Sequence, residues 1–406
     1  MLYKNNKGIK TSQLKKIFWL QTASRDTALH KMADLEVLKQ LKKRKYQIYI
    51  IRTKSKKNQS KILENFQLNQ ISVPLKRIPL ILPLIRTILF IFLLPVCILR
   101  LKPDFIIQAP DVSIISLMPI IFFSKLKRVK IILDIRTIPV ETSGFRGFML
   151  KFWFVASLII AKKFFDGITI ITSSMKEDLC SRFKINPGKV GVWTSGVSPK
   201  LFDPSKYASK KLKFKRKLGL SGKFLIFYHG IFTATRGLTQ TIEAIKLLKN
   251  NYPKATFFLL GRGPIDSKLK HIIRKEHLQG NVIIHDAVDQ TEVPKYISIC
   301  DVGIIPLPDH PYWRYQSPLK LLEYLAMEKV IVLTDIPAHR SVTDNNDCAL
   351  YLSSIKPTEI AKTIEYAYNK KTNLKTWGKI GRKIIEEKYT WEKVADDLEN
   401  YLLSLE

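Results

Sequence analysis

The chain has 406 residues, which is enough for two domains of ordinary size, each with its own core. Hydrophobic residues make up 46% and charged residues 25%, and this balance excludes an intrinsically disordered chain. The formal net charge of +34 excludes an acidic protein and favours a polyanionic partner: nucleic acid, an anionic membrane or a phosphorylated ligand. A lysine-rich surface without a specific partner is the alternative.

Cysteine and histidine usage argues against disulfides and against a bound metal. The four cysteines lie far apart and form no C-x-x-C pair, and no signal peptide is predicted, so we expect reduced cysteines and a cytoplasmic chain. The seven histidines show no H-E-x-x-H spacing or similar ligand pattern. The sequence therefore predicts no metal site.

The N-terminal residues predict a strand, a helix and a second strand, at 16–21, about 27–44 and 47–52. This βαβ opening predicts a doubly wound parallel sheet. A further strand at 130–134 is followed by polar residues, and ligands lie beyond the carboxyl ends of such strands. For each of the side chains there a structural role is the preferred interpretation and a functional role at a ligand site the alternative: Asp134, Arg136 and Glu141.

Two apolar segments of the first half suggest a membrane surface. Residues 87–99 are apolar over 13 residues between Arg86 and Arg100, which is too short for a span of about 20 residues. The segment is either a buried helix or an interfacial helix with its arginines at lipid headgroups. Residues 145–165 mix aromatic with basic side chains, as is typical of a bilayer boundary. Together the two segments favour peripheral membrane attachment.

The second half opens with a lysine-rich stretch, 207–222, that fits an interdomain linker. A buried strand at 224–229 then leads through Gly230 to Arg236 and a helix, an arrangement that can cradle phosphate. The sequence Gly261-Arg262-Gly263 follows another strand, but Asp266 stands where a dinucleotide fingerprint needs glycine, which argues against an NAD site.

The most informative stretch is 315–335, which predicts a loop, a capped helix and a buried strand. Ser317 suits the N-cap and Pro318 the first helical position, and the helix start would attract an anion. Glu323 lies close by as an acceptor for a sugar hydroxyl. A phosphate at the helix start and a sugar hydroxyl at the carboxylate describe a nucleotide-sugar site.

The residues of this stretch resemble the signature of a known enzyme family. The pattern S-P-x-K-x-x-E-Y-x-A resembles the donor-site signature of the family 4 glycosyltransferases, which are retaining enzymes of the GT-B fold within glycosyl transferases group 1; it is formed by Ser317, Pro318, Lys320, Glu323, Tyr324 and Ala326. The resemblance implies an α/β protein with two Rossmann-like doubly wound parallel-sheet domains facing a cleft. Residues 1–200 would form the acceptor-side domain and 201–375 the donor domain, with a helix at about 376–406 packing back on the first.

By the same resemblance three residues are expected to be catalytic, namely Arg236, Lys320 and Glu323. The donor is expected to contact Gly230, Gly261, Arg262, Ala287, Val288, Tyr315, Ser317, Pro318 and Leu319. The chain departs from the family pattern at Ile231, where relatives have an arginine, and at Tyr315, where they have a glutamate. Candidate substitutes are Arg314 or Lys320 for the cation and Tyr315 or Asp309 for the carboxylate.

The expected activity is transfer of a sugar, with retention, from a nucleoside-diphosphate sugar to a hydroxyl acceptor. The acceptor would be a lipid-linked or polysaccharide intermediate of the cell envelope, and no cofactor besides the donor is expected. We expect peripheral attachment to the cytoplasmic membrane through an anionic surface, and no specific nucleic acid. Two alternatives stay open: a non-catalytic basic protein that binds membrane or nucleic acid, and a GT-B nucleotide-sugar epimerase. The donor sugar, the nucleobase, the acceptor and the oligomeric state stay open as well.

Overall fold

The computed structural model describes residues 14–21, 28–53, 68–73, 82–121, 129–139 and 144–406. Glu141 therefore lies outside the described residues. The chain divides into two compact units, each built from more than one segment. The first comprises Met1–Ile170, Leu179–Gly191 and Leu398–Glu406, and the second comprises Ile171–Asp178 and Val192–Asp397.

The first unit is organised on a seven-stranded sheet of order β3-β2-β1-β4-β5-β6-β7. The strands are β1 (Lys16–Gln21), β2 (Gln47–Thr53), β3 (Asn69–Val73), β4 (Phe105–Gln108), β5 (Lys130–Ile135), β6 (Gly167–Ile170) and β7 (Val190–Val192). β1, the third strand in this order, pairs in parallel with both β2 and β4. The strands of this sheet are short apolar runs because both faces of a parallel sheet are covered.

The second unit is organised on a six-stranded sheet of order β10-β9-β8-β11-β12-β13. Its strands are β8 (Phe224–Ile231), β9 (Ala255–Arg262), β10 (Val282–His285), β11 (Val302–Ile305), β12 (Val330–Thr334) and β13 (Ala349–Leu352). All five neighbouring pairs run parallel. Both sheets are thus doubly wound, as the sequence predicts.

Helices follow the strands along both units. In chain order they are α1 (Ala28–Lys43), α2 (Leu82–Leu101), α3 (Gly144–Phe164), α4 (Ser173–Phe183), α5 (Lys211–Lys217), α6 (Leu238–Leu248), α7 (Asp266–Lys275), α8 (Val293–Ser298), α9 (Pro311–Arg314), α10 (Leu319–Ala326), α11 (Pro337–Thr343), α12 (Pro357–Asn369), α13 (Leu374–Lys388) and α14 (Trp391–Ser404). Short 3₁₀ turns cover Val112–Leu117, Pro187–Lys189, Pro204–Tyr207 and Ala234–Arg236.

The linker prediction for 207–222 is wrong. The stretch contains α5 and belongs to the second unit. The ring of Phe214 lies edge-on to that of Tyr296 at 5.1 Å, and Leu220 is completely buried. Apolar side chains spaced among the lysines therefore anchor the stretch to the core, and the lysine content by itself misled the prediction.

The last residues of the chain pack within the first unit. The Tyr401 hydroxyl accepts a hydrogen bond from the Ile168 amide at 3.0 Å and donates one to the Lys189 carbonyl at 2.6 Å. Gly167 and Gly191 leave room for it, since a Cβ at either position would lie 2.3 Å from a Tyr401 atom. The end of α14 thereby joins β6 and the start of β7.

The two apolar segments of the first unit are helices. Residues 87–99 lie within α2, which includes Pro95, and residues 145–164 lie within α3. Across the part of the chain that the structure describes, every helix falls short of the length and apolarity needed to span a bilayer.

Candidate functional site

The predicted site residues gather at the carboxyl ends of β8 and β11. These neighbouring strands lie where the strand order of the second sheet reverses, because β9 and β10 extend to one side and β12 and β13 to the other. In doubly wound sheets ligands bind in the crevice at such a switch point. The topology therefore places the ends of both strands, and the helices that follow them, where a ligand is expected.

Glycines let the backbones at these strand ends approach closely. β8 extends to Ile231, so Gly230 is a strand residue and pairs with Gly261 of β9. Both glycines have positive φ angles, 119° and 151°. A Cβ on Gly261 would lie 2.0 Å from the Gly230 carbonyl oxygen, and a Cβ on Gly230 would lie 2.8 Å from Cε of Lys320. The absence of a side chain at Gly230 is what allows Lys320 to lie over the strand end.

The helix that carries Lys320 and Glu323 begins one residue later than predicted. Pro318 is extended and occupies the N-cap of α10 without a side-chain capping bond, so Ser317 is not the cap. The Ser317 hydroxyl lies 2.8 Å from that of Thr194 and accepts a hydrogen bond from the Ser195 amide at 3.1 Å. Ser317 therefore ties the loop before α10 to the segment after β7.

Aromatic rings hold the two cations of the site. The Arg236 guanidinium lies 4.8 Å from the centre of the Trp313 ring, and the Lys320 ammonium lies 5.2 Å from the centre of the Tyr228 ring. No carboxylate of the described residues forms an ion pair with either cation, and Nε of Arg236 is buried without a hydrogen-bond partner. Cation–π contact positions these groups without a carboxylate partner, so both can pair with an anionic ligand.

Burial and the charge of each on the other shift the pKa values of Lys320 and Glu323. Burial and then the nearby Arg236 lower the pKa of Lys320 to about 7. Burial raises the pKa of Glu323 to about 7, against the opposing effect of Lys320. Titratable groups in a crevice whose pKa values are shifted toward 7 are typical of functional sites. An anionic ligand would restore the positive charge of Lys320.

A histidine lies beside Glu323. His229, the residue before Gly230, is 8% exposed, and its Nε2 lies 3.2 Å from Oε2 of Glu323. Burial and the neighbouring Lys320 hold the pKa of His229 well below its ordinary value, so the ring is neutral. The amide of Gln290 donates to the other carboxylate oxygen, Oε1, at 3.5 Å.

The other predicted donor contacts lie at the margin of this group. Arg262 and Asp286 form an exposed pair at 3.9 Å. After β10, Ala287 is exposed and Val288 packs partly against the core. The Tyr315 carbonyl accepts a hydrogen bond from the Thr172 hydroxyl at 3.1 Å. Leu319, the first residue of α10, is half-buried.

Two candidate substitutes bind each other. Arg314 forms a two-pronged ion pair with Asp309, with N–O distances of 2.5 and 2.6 Å. The Asp309 carboxylate is therefore neutralised by Arg314 and the Arg314 cation by Asp309. Lys320 and Tyr315 stay as the candidates for replacing the cation and the carboxylate that the family pattern lacks here.

The first unit has a polar cluster of its own near the end of β5. Asp134 is 5% exposed and accepts a hydrogen bond from the Thr169 hydroxyl at 2.7 Å. Burial, together with the charge of Asp134, raises the pKa of Asp34 to about 7. Burial lowers the pKa of Arg136 against the two carboxylates. Asp134 and Arg136 thus lie in one electrostatic cluster at the edge where ligands of such sheets bind.

The sequence reasoning missed four side chains of the site: Tyr228, His229, Gln290 and Trp313. His229 carries a usable signal, because a histidine at the end of an otherwise apolar strand is unusual. Trp313 and Gln290 carry none, since nothing in their local sequence indicates what they contact. Among the residues that the structure describes, no group of three or more His, Cys, Asp or Glu side chains could hold a metal ion.

Residues 210–384 match the family model described as Glycosyl transferases group 1. This stretch is therefore similar to the group 1 glycosyltransferases. It contains all three residues predicted to be catalytic. Because the finding concerns group 1, the narrower assignment to family 4 stays a prediction.

Curated relatives are similar over part of their length. An uncharacterized glycosyltransferase of Methanocaldococcus jannaschii is 23% identical over 248 residues, covering 59% of this chain and 60% of that protein. TuaH of Bacillus subtilis, named for teichuronic acid biosynthesis, is 29% identical over 175 residues, covering 43% and 41%. The chain thus spans between 41% and 60% of these relatives.

Solved structures agree over nearly the whole chain. A glycosyltransferase from Rickettsia africae superposes with a TM-score of 0.79 at 16% identity, covering 97% of this chain and 99% of that one. Anabaena HepE in complex with UDP superposes with a TM-score of 0.76 at 12% identity, covering 96% and 100%. The fold is GT-B, as the resemblance implied. At these identities the likeness establishes the fold alone.

Proposed function

We propose that this protein transfers a sugar from a nucleoside-diphosphate sugar to a hydroxyl acceptor with retention of configuration at the anomeric carbon. The bond from that carbon to the diphosphate oxygen breaks, a bond to the acceptor oxygen forms, and the acceptor proton leaves with the diphosphate or to solvent. The match of residues 210–384 to the group 1 model supports the reaction class, and the signature at 317–326 supports retention.

The observation that carries the proposal is the convergence of two cations and one carboxylate at the switch point of the second sheet. In this proposal Arg236 and Lys320 bind the diphosphate; each lies over an aromatic ring and has no carboxylate partner among the described residues. Positive groups aimed at a leaving group stabilise the charge that develops as it departs. Glu323, one turn beyond the start of α10, accepts the hydroxyls of the ribose.

We propose that the nucleotide is a uridine diphosphate. Two solved structures of Anabaena HepE, similar to this chain in fold, contain UDP and UDP-glucose. In our proposal Ala287 and Val288 lie beside the base, since they follow β10 at the same edge of the sheet. With two cations already supplied by the protein, we propose that no divalent metal is required.

The acceptor in this proposal is a lipid-linked or saccharide intermediate of the cell envelope. WaaG, a structural neighbour with a TM-score of 0.67, is named for lipopolysaccharide biosynthesis. We propose that the acceptor binds the first unit, where the cluster around Asp134 and Arg136 offers hydrogen-bonding groups at the carboxyl end of β5.

We also propose that the first unit attaches peripherally to an anionic membrane. α2 buries Phe90, Leu94 and Ile98 and exposes an opposite apolar face: Ile88, Leu89, Phe92, Val96 and Leu99. α3 exposes further aromatic side chains, including Phe145 at 77% and Phe148 at 61%. Lys151, Lys162 and Lys163 are exposed on α3. Apolar faces flanked by lysine in a chain of charge +34 suit an anionic bilayer surface.

The test combines nucleotide binding with turnover. UDP affinity is measured by calorimetry, and transfer from radiolabelled UDP-glucose is measured with a panel of polyprenyl-diphosphate-linked saccharides, with and without EDTA. Arg236→Ala and Glu323→Ala are each expected to lower kcat/KM by about 100-fold or more, since a comparable loss follows removal of one transition-state donor elsewhere. NMR of the product is expected to show the anomeric configuration of the donor.

The matched control is Arg274→Ala, at an exposed arginine of α7, which is expected to behave as wild type. Wild-type turnover in Arg236→Ala or Glu323→Ala would contradict the site. Consumption of UDP-glucose without any acceptor would favour an epimerase. Failure to bind UDP, GDP or ADP, together with strongly salt-dependent binding to nucleic acid, would favour a non-catalytic protein.

A further inference from the structure

His229 has no role in the reaction as proposed, yet it is a polar group in an apolar place. Its ring stacks on Phe227 with centroids 5.8 Å apart and meets the Tyr324 ring edge-on at 5.2 Å. An apolar side chain would fill this space equally well. Nε2 of His229 is buried and has no hydrogen-bond partner among the residues that the structure describes. Leaving a buried polar group unpaired costs about 1–3 kcal/mol, so the position needs an explanation.

Among the described residues, Glu323 is the polar group that lies within hydrogen-bond distance of that nitrogen. Nε2 lies 3.2 Å from Oε2, which is within hydrogen-bond range, but the two atoms do not form a hydrogen bond in the free protein. Burial and Lys320 keep the imidazole neutral, so it is not a second cation beside Oε2. A carboxylate oxygen is an acceptor, and the tautomer that suits it has its proton on Nε2.

The two oxygens of Glu323 have different surroundings. Oε2 faces buried His229, whereas Oε1 faces the amide of Gln290, an exposed residue, at 3.5 Å. A ligand can displace an exposed amide at such a long distance, but it cannot reach past the buried ring. One oxygen is thus available to a ligand and the other to the protein.

We propose that His229 is a positioning residue for nucleotide binding: its Nε2–H donates to Oε2 of Glu323 and thereby orients Oε1 to accept a ribose hydroxyl. The inference rests on the proposed function, because Glu323 has this role only if the ligand is a nucleotide. In the free protein the two atoms are close but not hydrogen-bonded. Ribose binding rotates the carboxylate, pairs the buried donor and gives the site its preference for ribose over deoxyribose.

The test measures that preference and not affinity alone. UDP and 2′,3′-dideoxy-UDP are titrated by calorimetry into wild type, His229→Leu and His229→Gln. Wild type is expected to bind UDP about 100-fold more tightly than the dideoxy compound. Each of the two ribose hydroxyl contacts would contribute a factor of about ten to the affinity. His229→Leu is expected to keep its affinity for the dideoxy compound and to lose about tenfold for UDP. His229→Gln, whose amide can reach the same oxygen, is expected to recover most of the preference.

Two further comparisons separate positioning from packing. In a Glu323→Gln background, His229→Leu is expected to have no further effect on the preference, because the partner is already altered. The urea midpoint of His229→Leu is expected to equal or exceed that of wild type, since the substitution removes an unpaired buried donor. An equal loss of affinity for both nucleotides would assign His229 a purely structural role.

An unchanged preference for UDP in His229→Leu would overturn this inference and leave the proposed function standing. Failure of wild type to bind UDP would overturn the proposed function, and this inference with it. The two failures are therefore distinguishable in one titration series.

Discussion

At the scale of single residues, burial decides the charge states of the site. Lys320 and Glu323 lie three positions apart on α10, and both have a pKa of about 7. Each is shifted because desolvation disfavours its charged form. A free protein near neutral pH therefore holds a cation and a carboxylate that are each partly neutral, and a bound diphosphate would favour the charged form of Lys320.

The shift of Glu323 predicts a pH-dependent cost in stability. Its pKa rises from an ordinary 4.5 to about 7 on folding. The folded state therefore holds the proton more tightly, and stability falls as the pH rises from about 4.5 through 7. Glu323→Gln removes this cost, so its advantage over wild type in urea unfolding is expected to grow by about 2 kcal/mol between pH 5 and pH 8.

The control for this prediction is Glu243→Gln, at an exposed glutamate of the same unit. Lys320 titrates in both proteins with the opposite sign: its lowered pKa makes stability rise with pH above about 7. That contribution largely cancels in the comparison. If the free energies of unfolding of Glu323→Gln and wild type changed with pH in parallel, the Glu323 carboxylate would not be desolvated.

At the scale of elements, the position of α10 against β11 determines where Glu323 points. Gly303 of β11 leaves space for the Tyr324 ring, because a Cβ there would lie 2.7 Å from it. The Tyr324 hydroxyl donates to the Phe227 carbonyl at 3.0 Å. A glycine in a strand commonly marks such a close approach. One residue along the helix from Tyr324, Glu323 is thereby held at the strand ends.

Gly303→Ala tests this arrangement. The added methyl group is expected to push Tyr324 and α10 away from the sheet, lowering the unfolding free energy by about 1–3 kcal/mol. UDP affinity is expected to fall by about tenfold or more, because Glu323 and Lys320 move with the helix. Gly280→Ala is the control: a Cβ there meets nothing within 4 Å, and both properties should stay at wild-type values. Unchanged UDP affinity in Gly303→Ala would show that the position of α10 does not determine UDP binding.

At the scale of the whole molecule, the charge of +34 and the apolar faces of α2 and α3 both support the proposal that the protein attaches to an anionic membrane surface. Phe92 is 72% exposed and Phe148 is 61% exposed. Burying one phenylalanine side chain contributes about 1.5–3 kcal/mol, and each nearby basic residue about 1 kcal/mol more at an anionic surface. The apolar and the electrostatic contributions are thus of similar size.

Cosedimentation with vesicles of phosphatidylglycerol and phosphatidylcholine checks this proposal. Phe92→Gln and Phe148→Gln are each expected to weaken binding by about tenfold, and salt is expected to weaken it in every variant. Leu247→Gln, at a 55% exposed leucine of the second unit, serves as the control. Unchanged vesicle binding in Phe92→Gln and Phe148→Gln would contradict attachment through these helices. The absence of wild-type binding to anionic vesicles would contradict it as well.

The sequence by itself determined the fold class and most of the elements. Buried parallel strands are short apolar runs, so 224–229 and 330–333 could be recognised as strands without a structure, as could the helix before the latter. The signature around Ser317 and Glu323 predicts a donor site, and it lies within the stretch, 210–384, that matches the group 1 model. Local signals failed where packing overrides them, as in the lysine-rich α5.

Only the tertiary structure decided what each side chain contacts. Trp313 lies under Arg236, Tyr228 under Lys320 and His229 beside Glu323. Ser317 bonds to the segment after β7 instead of capping α10. The physical reason is that propensity and periodicity are properties of neighbouring residues, whereas these contacts join elements far apart in the chain. They form only when two strand ends and the helices after them meet at one edge of the sheet.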